Sequence, residues 1–363
     1  MTIHRNRWVL SDSMRVMCIC SCMCAGAETG LSQQVPAFQP TIQLSAPAAE
    51  DQDDICLWLH PTDASASTVI ASDKSANFLF VYDLDGHLLQ SIPVAKPGNI
   101  DIRQNVILDG IASDVVVVNQ RTGGFRLVVF KVDSASRTLE RIDNNCLTAA
   151  NYGGCLYHSR KSSKLYFVCT SETGMVSQYE LREDGQGKLT ASLVRELKIG
   201  KCEGAVADDE SGSLYIGEER EGVWKFAAEP DVSSKGTLIA KVGDNGLKGD
   251  VEGLTICNYR NGVKYLLVSD QGSSRFAAYQ CESPNAFVGE FKIESTGDSD
   301  GIEVCSSHLS KAFPDGVFVC HNGLNPRGLC LTPWGQIEAS LFSNDSPNTP
   351  GTLPNTSPVT DSK

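Results

Sequence analysis

Six copies of a paired-strand pattern, each about 50 residues long, constrain the fold of this 363-residue chain most. Each copy has two short runs of β-branched and aromatic residues around a polar turn, as in residues 69–82 and 214–226. The copies end 47 to 53 residues apart, at Tyr82, Phe130, Tyr179, Phe226, Tyr279 and Leu331. Such a period predicts a radial repeat. We therefore predict an all-β fold, a six-bladed β-propeller, over residues 36–342. A two-sheet sandwich would explain the strands but not the equal intervals.

An acidic residue stands near the start of the first strand in five of the six copies. These openings lie at Asp54, Asp101, Gly154, Glu203, Glu252 and Asp300. In a propeller blade the innermost strand begins at the end of the ring where the second and third strands turn. The turn residues Lys74, Arg121, Glu172, Glu219, Gln271 and His321 should therefore share one face with the openings. Glycine follows both Glu203 and Glu252, and would allow the backbone to approach a metal or the ring axis closely.

About ten carboxylates on one face repel one another unless cations lie between them. Oxygen ligands in this number suit calcium better than zinc, which takes nitrogen or sulfur. A solvated acidic rim is the alternative explanation. We expect His321 to be a surface side chain, because it is the one histidine on this face. Cysteines inside apolar runs are expected to be small buried hydrophobic residues, at Cys169, Cys257, Cys305 and Cys320.

The two ends of the chain differ in composition from the repeats. Residues 1–35 contain three arginines before a short apolar, cysteine-rich stretch, which predicts a secretory signal and a secreted or periplasmic protein. Lipid attachment at Cys22 and a metal-binding Cys-x-Cys tail stay open as alternatives. Residues 343–363 are rich in Ser, Thr, Asn and Pro, so we expect a disordered tail. No stretch is long enough to span a membrane. The net charge of -13 argues against nucleic acid and anionic membranes as partners.

Several motifs resemble those of the β-propeller phytases, in the same order along residues 50–335. Glu50-Asp-Gln-Asp-Asp-Ile-Cys-Leu-Trp58 and Gly98-Asn-Ile-Asp-Ile-Arg103 are similar to two of that family's acidic motifs. Further matches begin at Glu203, Leu214, Val223, Asp250, Asp298 and Pro333. The resemblance implies calcium-dependent release of phosphate from phytate, myo-inositol hexakisphosphate, by a six-bladed propeller. It implies attack by a calcium-activated water, with no covalent intermediate. We expect a monomer.

The resemblance also implies roles for individual residues. The metal-binding positions are Asp53, Asp54, Asn99, Asp101, Glu203, Glu219, Asp250, Glu252, Asp298 and Asp300. The catalytic positions are Lys74, Arg121, Tyr152, Glu203, Glu219 and Gln271, of which Lys74, Arg121 and Tyr152 match phosphate contacts. Two departures concern this site. Glu172 stands where family members often carry Lys, and Gly98 stands where they carry Asn.

Two other functions are compatible with an acidic propeller face. A calcium-dependent propeller acting on a lactone or sugar ester would not need Lys74 and Arg121 beside the metal. A propeller that only binds a partner would carry an acidic rim without cations directed at phosphate. The two cations therefore favour a phosphatase over both alternatives.

Overall fold

The computed structural model describes residues 34–259 and 262–342, which form six small sheets in a ring. Strands consecutive in the chain lie side by side from the axis outward and pair antiparallel, and two sheets gain one further strand from the start of the described chain. Each innermost strand contacts the innermost strand of the next sheet, and the last contacts the first, so the ring is closed. The prediction of an all-β, six-bladed propeller is confirmed.

The first four blades are each built from four strands. Blade 1 contains β3 (Gln52–Trp58), β4 (Thr68–Asp73), β5 (Phe78–Asp83) and β6 (Leu88–Pro93). Blade 2 contains β7 (Pro97–Leu108), β8 (Ile111–Gln120), β9 (Arg126–Asp133) and β10 (Thr138–Arg141). Blade 3 contains β11 (Gly154–His158), β12 (Leu165–Cys169), β13 (Met175–Glu183) and β14 (Leu189–Lys198). Blade 4 contains β15 (Cys202–Asp208), β16 (Ser213–Glu218), β17 (Gly222–Ala227) and β18 (Thr237–Lys241).

The last two blades are completed by strands from the start of the described chain. Blade 5 contains β19 (Val251–Asn258), β20 (Lys264–Asp270), β21 (Arg275–Gln280) and β22 (Phe287–Ile293), with β1 (Ala37–Phe38) added parallel to β22. Blade 6 contains β23 (Ile302–Cys305), β24 (Val317–Asn322) and β25 (Gly328–Pro333). Its fourth strand is β2 (Ile42–Leu44), which pairs antiparallel with β25 and joins the two ends of the ring. The repeat pattern did not predict β1 or β2, because both are too short to show a period.

Apolar residues fill the six spaces between neighbouring blades. Residues 115–118 of β8 are four consecutive valines without exposed surface. Val116 and Val118 pack toward blade 1, whereas Val115 and Val117 pack toward blade 3. A strand buried on both faces reads as a continuous apolar run, because alternate side chains point to opposite neighbours. The outermost strand of blade 1, β6, has no buried residue and contains half-buried and exposed residues instead.

The ten cysteines of the described residues are all buried and form no disulfide. The prediction that Cys169, Cys257, Cys305 and Cys320 are small buried residues is confirmed.

One helix, α1 (Trp334–Phe342), follows the last blade. It buries Trp334, Ile337 and Phe342, and the Phe342 ring stacks on Tyr265 with centroids 4.0 Å apart. No helix in the described part of the chain is long and apolar enough to cross a membrane. The predicted tail, 343–363, and all but the last two residues of the predicted signal, 1–35, lie outside the described residues. Secretion and the monomeric state therefore stay predictions.

Replacement of Leu44 by Ala should lower the free energy of unfolding by about 2–5 kcal/mol, since it opens a cavity in the seam that closes the ring. Leu44 has no exposed surface and packs in the cluster between blades 6 and 1. Its neighbour Gln43 is exposed and donates one hydrogen bond to the Pro326 carbonyl. Gln43→Ala is thus the matched control, with an expected loss below about 1 kcal/mol. Urea unfolding measures both, and equal losses would contradict closure through β2.

Candidate active site

Four of the innermost strands begin with a β-bulge that carries predicted site residues. The pairing of β3 with β4 shifts register around Asp53 and Asp54. Equivalent shifts occur around Asn99 in β7, Glu203 in β15 and Glu252 in β19. A bulge removes residues from the regular ladder and re-aims their side chains. These side chains are therefore directed to the ring axis rather than into the spaces between blades.

The glycines after Glu203 and Glu252 allow neighbouring blades to meet at the axis. A Cβ atom on Gly204 would lie 1.8 Å from the carbonyl oxygen of Glu252. A Cβ atom on Gly253 would lie 2.5 Å from the carbonyl oxygen of Asp300, to which the Gly253 N–H donates a hydrogen bond of 3.0 Å. No side chain fits at either position. The predicted role of the Glu-Gly pairs, close backbone approach at the axis, is confirmed.

Six polar side chains meet at the axis: Asp53, Asp54, Asn99, Glu203, Glu252 and Asp300. All but Asp300 are buried. Charged groups without water are stable only when other charges or hydrogen bonds compensate for the lost hydration. The partners of these carboxylates consequently determine what the site can bind.

Two cations share the carboxylate of Asp53. Lys74 Nζ lies 2.8 Å from Asp53 Oδ1 and 2.8 Å from Asp300 Oδ2. Arg121 Nη2 lies 2.8 Å from Asp53 Oδ2 and donates a second hydrogen bond to Glu203. Each oxygen of Asp53 thus carries one cation. Asp53 holds the two predicted phosphate-contacting cations on opposite sides of one buried carboxylate.

The turn that carries Lys74 is held by the preceding residue, Asp73. Its carboxylate accepts hydrogen bonds from the backbone N–H groups of Ser75 and Ala76, at 3.1 and 2.7 Å. It also accepts one from Glu50 at 2.8 Å, across the entry to β3. Such a local aspartate turn fixes the backbone next to Lys74. The Lys74 side chain is consequently supported by the blade itself and not only by its ion pairs.

Arg121 is held between an aromatic ring and a glycine. Its guanidinium carbon lies 4.6 Å from the centre of the Tyr152 ring, within the range of a cation–π contact. A Cβ atom on Gly98 would lie 2.4 Å from Arg121 Nε and 2.7 Å from the amide nitrogen of Asn119. The departure at Gly98 therefore has a physical reason: any larger residue there would meet the arginine in its present position.

The charges of the cluster push its pKa values in opposite directions. Burial raises the pKa of Glu203 to about 7 and that of Asp300 to about 6, and nearby carboxylates reinforce both shifts. Burial and the neighbouring Glu203 and Asp300 also raise the pKa of Glu252. Burial opposes ionisation of Asp53 as well, but the charges of Arg121 and Lys74 outweigh it and lower its pKa. The cluster holds protons near neutral pH unless further positive charge enters.

Three carboxylates are placed to hold a metal ion. One oxygen each of Glu203, Glu219 and Glu252 lies within 4.8 Å of the others, and all three residues are buried. Asn99 Oδ1 and Glu252 Oε2 are buried without a hydrogen-bond donor. A hard cation such as calcium takes carboxylate and amide oxygens as ligands. The donor set therefore fits calcium, which would satisfy oxygens that the protein leaves unpaired.

Four further predicted residues lie on the same face but outside the three-glutamate set. Asp250 and Asp298 are exposed at the rim of the same face. Gln271, in a short 3-10 helix after β20, donates a hydrogen bond to Asp300 Oδ1. Asp54 lies beneath the cluster, where its Oδ2 accepts the Ile100 N–H at 3.0 Å.

Asp101 is not brought to the cluster. Its carboxylate lies further along β7, where it pairs with Arg103 at 2.9 Å and accepts the Leu156 N–H at 2.8 Å. The prediction of a metal ligand at this position came from the resemblance to the β-propeller phytases. The structure instead places this carboxylate in a bridge between blades 2 and 3.

His321 is the polar residue of the site that sequence reasoning placed wrongly. We expected a surface side chain, but only 2% of it is exposed. Its Nδ1 accepts the Asp300 N–H at 3.1 Å, so the neutral ring carries its proton on Nε2. Burial lowers the pKa of His321 to about 4, which keeps the ring neutral. Its position within β24, directly after the apolar residues 317–320, was the available signal.

Comparisons with known proteins identify what the chain is similar to. A sequence model of the phytase family matches residues 12–328. The 3-phytase of Bacillus subtilis strain 168 is 38% identical over 309 residues, which cover 80% of this chain and 81% of the relative. Among solved structures, a calcium-binding protein, regucalcin, from Agrobacterium tumefaciens strain C58 superimposes with a TM-score of 0.51 at 13% identity. That match covers 82% of this chain and 95% of the other, and it shows the fold alone.

Metal-free protein should lose stability as the pH rises from about 4 to about 7. Glu203 and Asp300 have folded-state pKa values of about 7 and about 6, above the unfolded values of 4.5 and 3.8. These carboxylates therefore bind more protons in the folded state in this window and lower the free energy of unfolding as the pH rises. The lowered pKa of His321 acts in the opposite direction and offsets part of this loss. One pKa unit corresponds to about 1.4 kcal/mol, so the loss should reach a few kcal/mol.

Calcium should reverse this loss near pH 7.5 and change little near pH 5, where protons already occupy the carboxylates. Thermal unfolding with EDTA or CaCl2 across this range measures both effects. Glu203→Gln is the control variant, because it removes one titrating carboxylate and should flatten the curve of the metal-free protein. A metal-free melting temperature that stays level or rises between pH 5 and 7 would contradict the prediction.

Proposed function

The chain belongs to the phytase family and hydrolyses phytate, and we propose that it does so with calcium bound by the acidic cluster at the propeller axis. The observation that supports the proposal is that buried carboxylates and cationic side chains lie together on one face. Three buried carboxylates, of which Glu252 has an oxygen that accepts no hydrogen bond, lie beside two cations that share Asp53. Phytate is densely anionic, so an acidic site can bind it only through positive charge.

Calcium would be held by Glu203, Glu219 and Glu252, with the unpaired amide oxygen of Asn99 as a further donor. Bound there, calcium supplies positive charge to the phosphate oxygens and activates water for attack on phosphorus. The protein supplies a buried site in which water does not weaken these interactions. The exposed Asp250 and Asp298 would add negative charge that attracts calcium to the rim.

Lys74 and Arg121 supply positive charge that does not depend on metal. Both already lie against carboxylates, so their charges are fixed near the axis before substrate arrives. Arg121 is nearly buried, with 7% of its side chain exposed, whereas 27% of Lys74 is exposed. Lys74 is therefore the more accessible contact for a phosphate oxygen. Arg121 orients Asp53 and Glu203 and adds charge from beneath.

The arrangement favours a phosphatase over the two alternatives that the sequence left open. A lactone or sugar ester carries no phosphate charge that Lys74 and Arg121 could offset. A propeller that only binds a partner would not need buried carboxylates with unpaired oxygens. The likeness to regucalcin concerns the fold and favours neither alternative.

Removal of calcium should lower phosphate release from phytate by at least about 100-fold, since the cluster then repels the substrate. Protein treated with EDTA and desalted is assayed for released phosphate before and after CaCl2 is restored, with calcium in excess of phytate. Recovery of activity is the expected result. Release that EDTA leaves unchanged would contradict the calcium mechanism, and absence of release at saturating calcium would contradict the activity itself.

Replacement of Lys74 by Ala should lower kcat/KM for phytate by about 100-fold, on the order of 3 kcal/mol, because a charge-assisted phosphate contact is lost. The gain in melting temperature on calcium addition should change little. Lys188→Ala is the matched control, since Lys188 is exposed in the turn before β14 at the opposite end of its blade. If Lys74→Ala instead abolished the calcium-dependent gain and left turnover intact, Lys74 would be a structural residue.

A further inference from the structure

A third cation, Lys201, lies beside the proposed calcium ligands. Lys201 is in the connection that leads into β15, two residues before Glu203. Its Nζ lies 2.8 Å from Glu219 Oε1 and 5.1 Å from the centre of the Tyr152 ring. It therefore contacts the same ring as Arg121, while its carboxylate partner belongs to the three-glutamate set.

Exposure distinguishes Lys201 from the other cations of the site. Its side chain is 45% exposed, against 27% for Lys74 and 7% for Arg121. Its partner Glu219 is only 7% exposed. The ammonium group thus covers a buried carboxylate from the solvent side. An exposed, flexible lysine can leave such a contact without opening the core, which a buried arginine cannot do.

Lys201 and a metal ion would compete for one oxygen. Calcium binds carboxylate oxygens at about 2.3–2.6 Å, and an ammonium group 2.8 Å from the same oxygen would then lie next to a divalent cation. Like charges at such a distance repel strongly where little water screens them. Calcium binding at Glu219 should therefore displace Lys201 from its ion pair.

The displaced Lys201 ammonium group could move toward Tyr152. Its stem starts beside Glu203, and the Tyr152 ring already lies within reach of its charge. Tyr152 and Arg121 are the proposed phosphate-contacting groups on this side of the axis. A phosphate of the substrate near Tyr152 would attract the displaced ammonium, because a phosphate carries more negative charge than a carboxylate.

We propose that Lys201 is the counter-ion of Glu219 in the metal-free protein and a substrate-binding residue once calcium has displaced it. The inference rests on the proposed function and deepens it. It makes Lys201 a residue that weakens calcium binding and strengthens phytate binding. A purely structural lysine would do neither.

The test is Lys201→Gln, which removes the charge and keeps most of the side chain. Calcium titration of the metal-free variant by calorimetry, without substrate, should show an affinity about 3- to 10-fold higher than that of the unchanged protein. In the phosphate-release assay KM for phytate should rise about 10-fold while kcat changes less than about 2-fold. Lys201→Arg should restore KM, because it keeps the positive charge.

Lys241→Gln is the matched control, since Lys241 is an exposed lysine at the end of the outermost strand of the same blade. It makes the same charge change and should alter neither calcium affinity nor KM. The proposal would be overturned if Lys201→Gln left calcium affinity and KM unchanged. It would also be overturned if Lys201→Gln and Lys241→Gln changed them equally. If the unchanged protein binds no calcium, the proposed function fails instead, and the two failures are thereby distinguished.

Discussion

The contact of backbone against backbone at the ring axis is the constraint on which the rest of the structure depends. Gly204 and Gly253 let neighbouring innermost strands approach so closely that no Cβ atom fits between them. Six strands can then meet around a narrow axis, and the bulges beside the glycines direct carboxylates into it. Fold and site therefore share one cause: the same residues close the ring and concentrate the negative charge.

That concentration of charge is costly in the absence of cations. Burial and mutual repulsion raise the pKa values of Glu203, Glu252 and Asp300, so the folded state favours the protonated form of these carboxyl groups. The pKa of Asp53 is lowered instead, because Lys74 and Arg121 each donate a hydrogen bond to one of its oxygens. The site is thus partly neutralised by its own side chains and partly left unsatisfied. A metal ion could bind the oxygens that lack a hydrogen-bond donor, and a phosphate group could then bind the metal ion.

Much of this architecture could be predicted from the sequence, and the exceptions have physical reasons. The period of about 50 residues predicted the blades, and the position of each acidic opening predicted the face that carries the site. Asp101 was placed with the metal ligands, but Arg103 on the same strand holds it at a different level. His321 was expected on the surface, but it lies within the buried strand β24, where its ring accepts the Asp300 N–H. The strands β1 and β2 are too short to carry a period.

The sequence by itself determined the number of blades, the paired strands repeated in each, and which residue types meet on one face, because these follow from spacing and alternation along the chain. The tertiary structure alone decided which of the carboxylates converge and which cations they receive. Asp53 receives Lys74 from its own blade and Arg121 from the next, and Glu219 receives Lys201. Such pairings depend on bulges and on contacts between blades, and no local pattern encodes a distance between residues 68 or 226 positions apart.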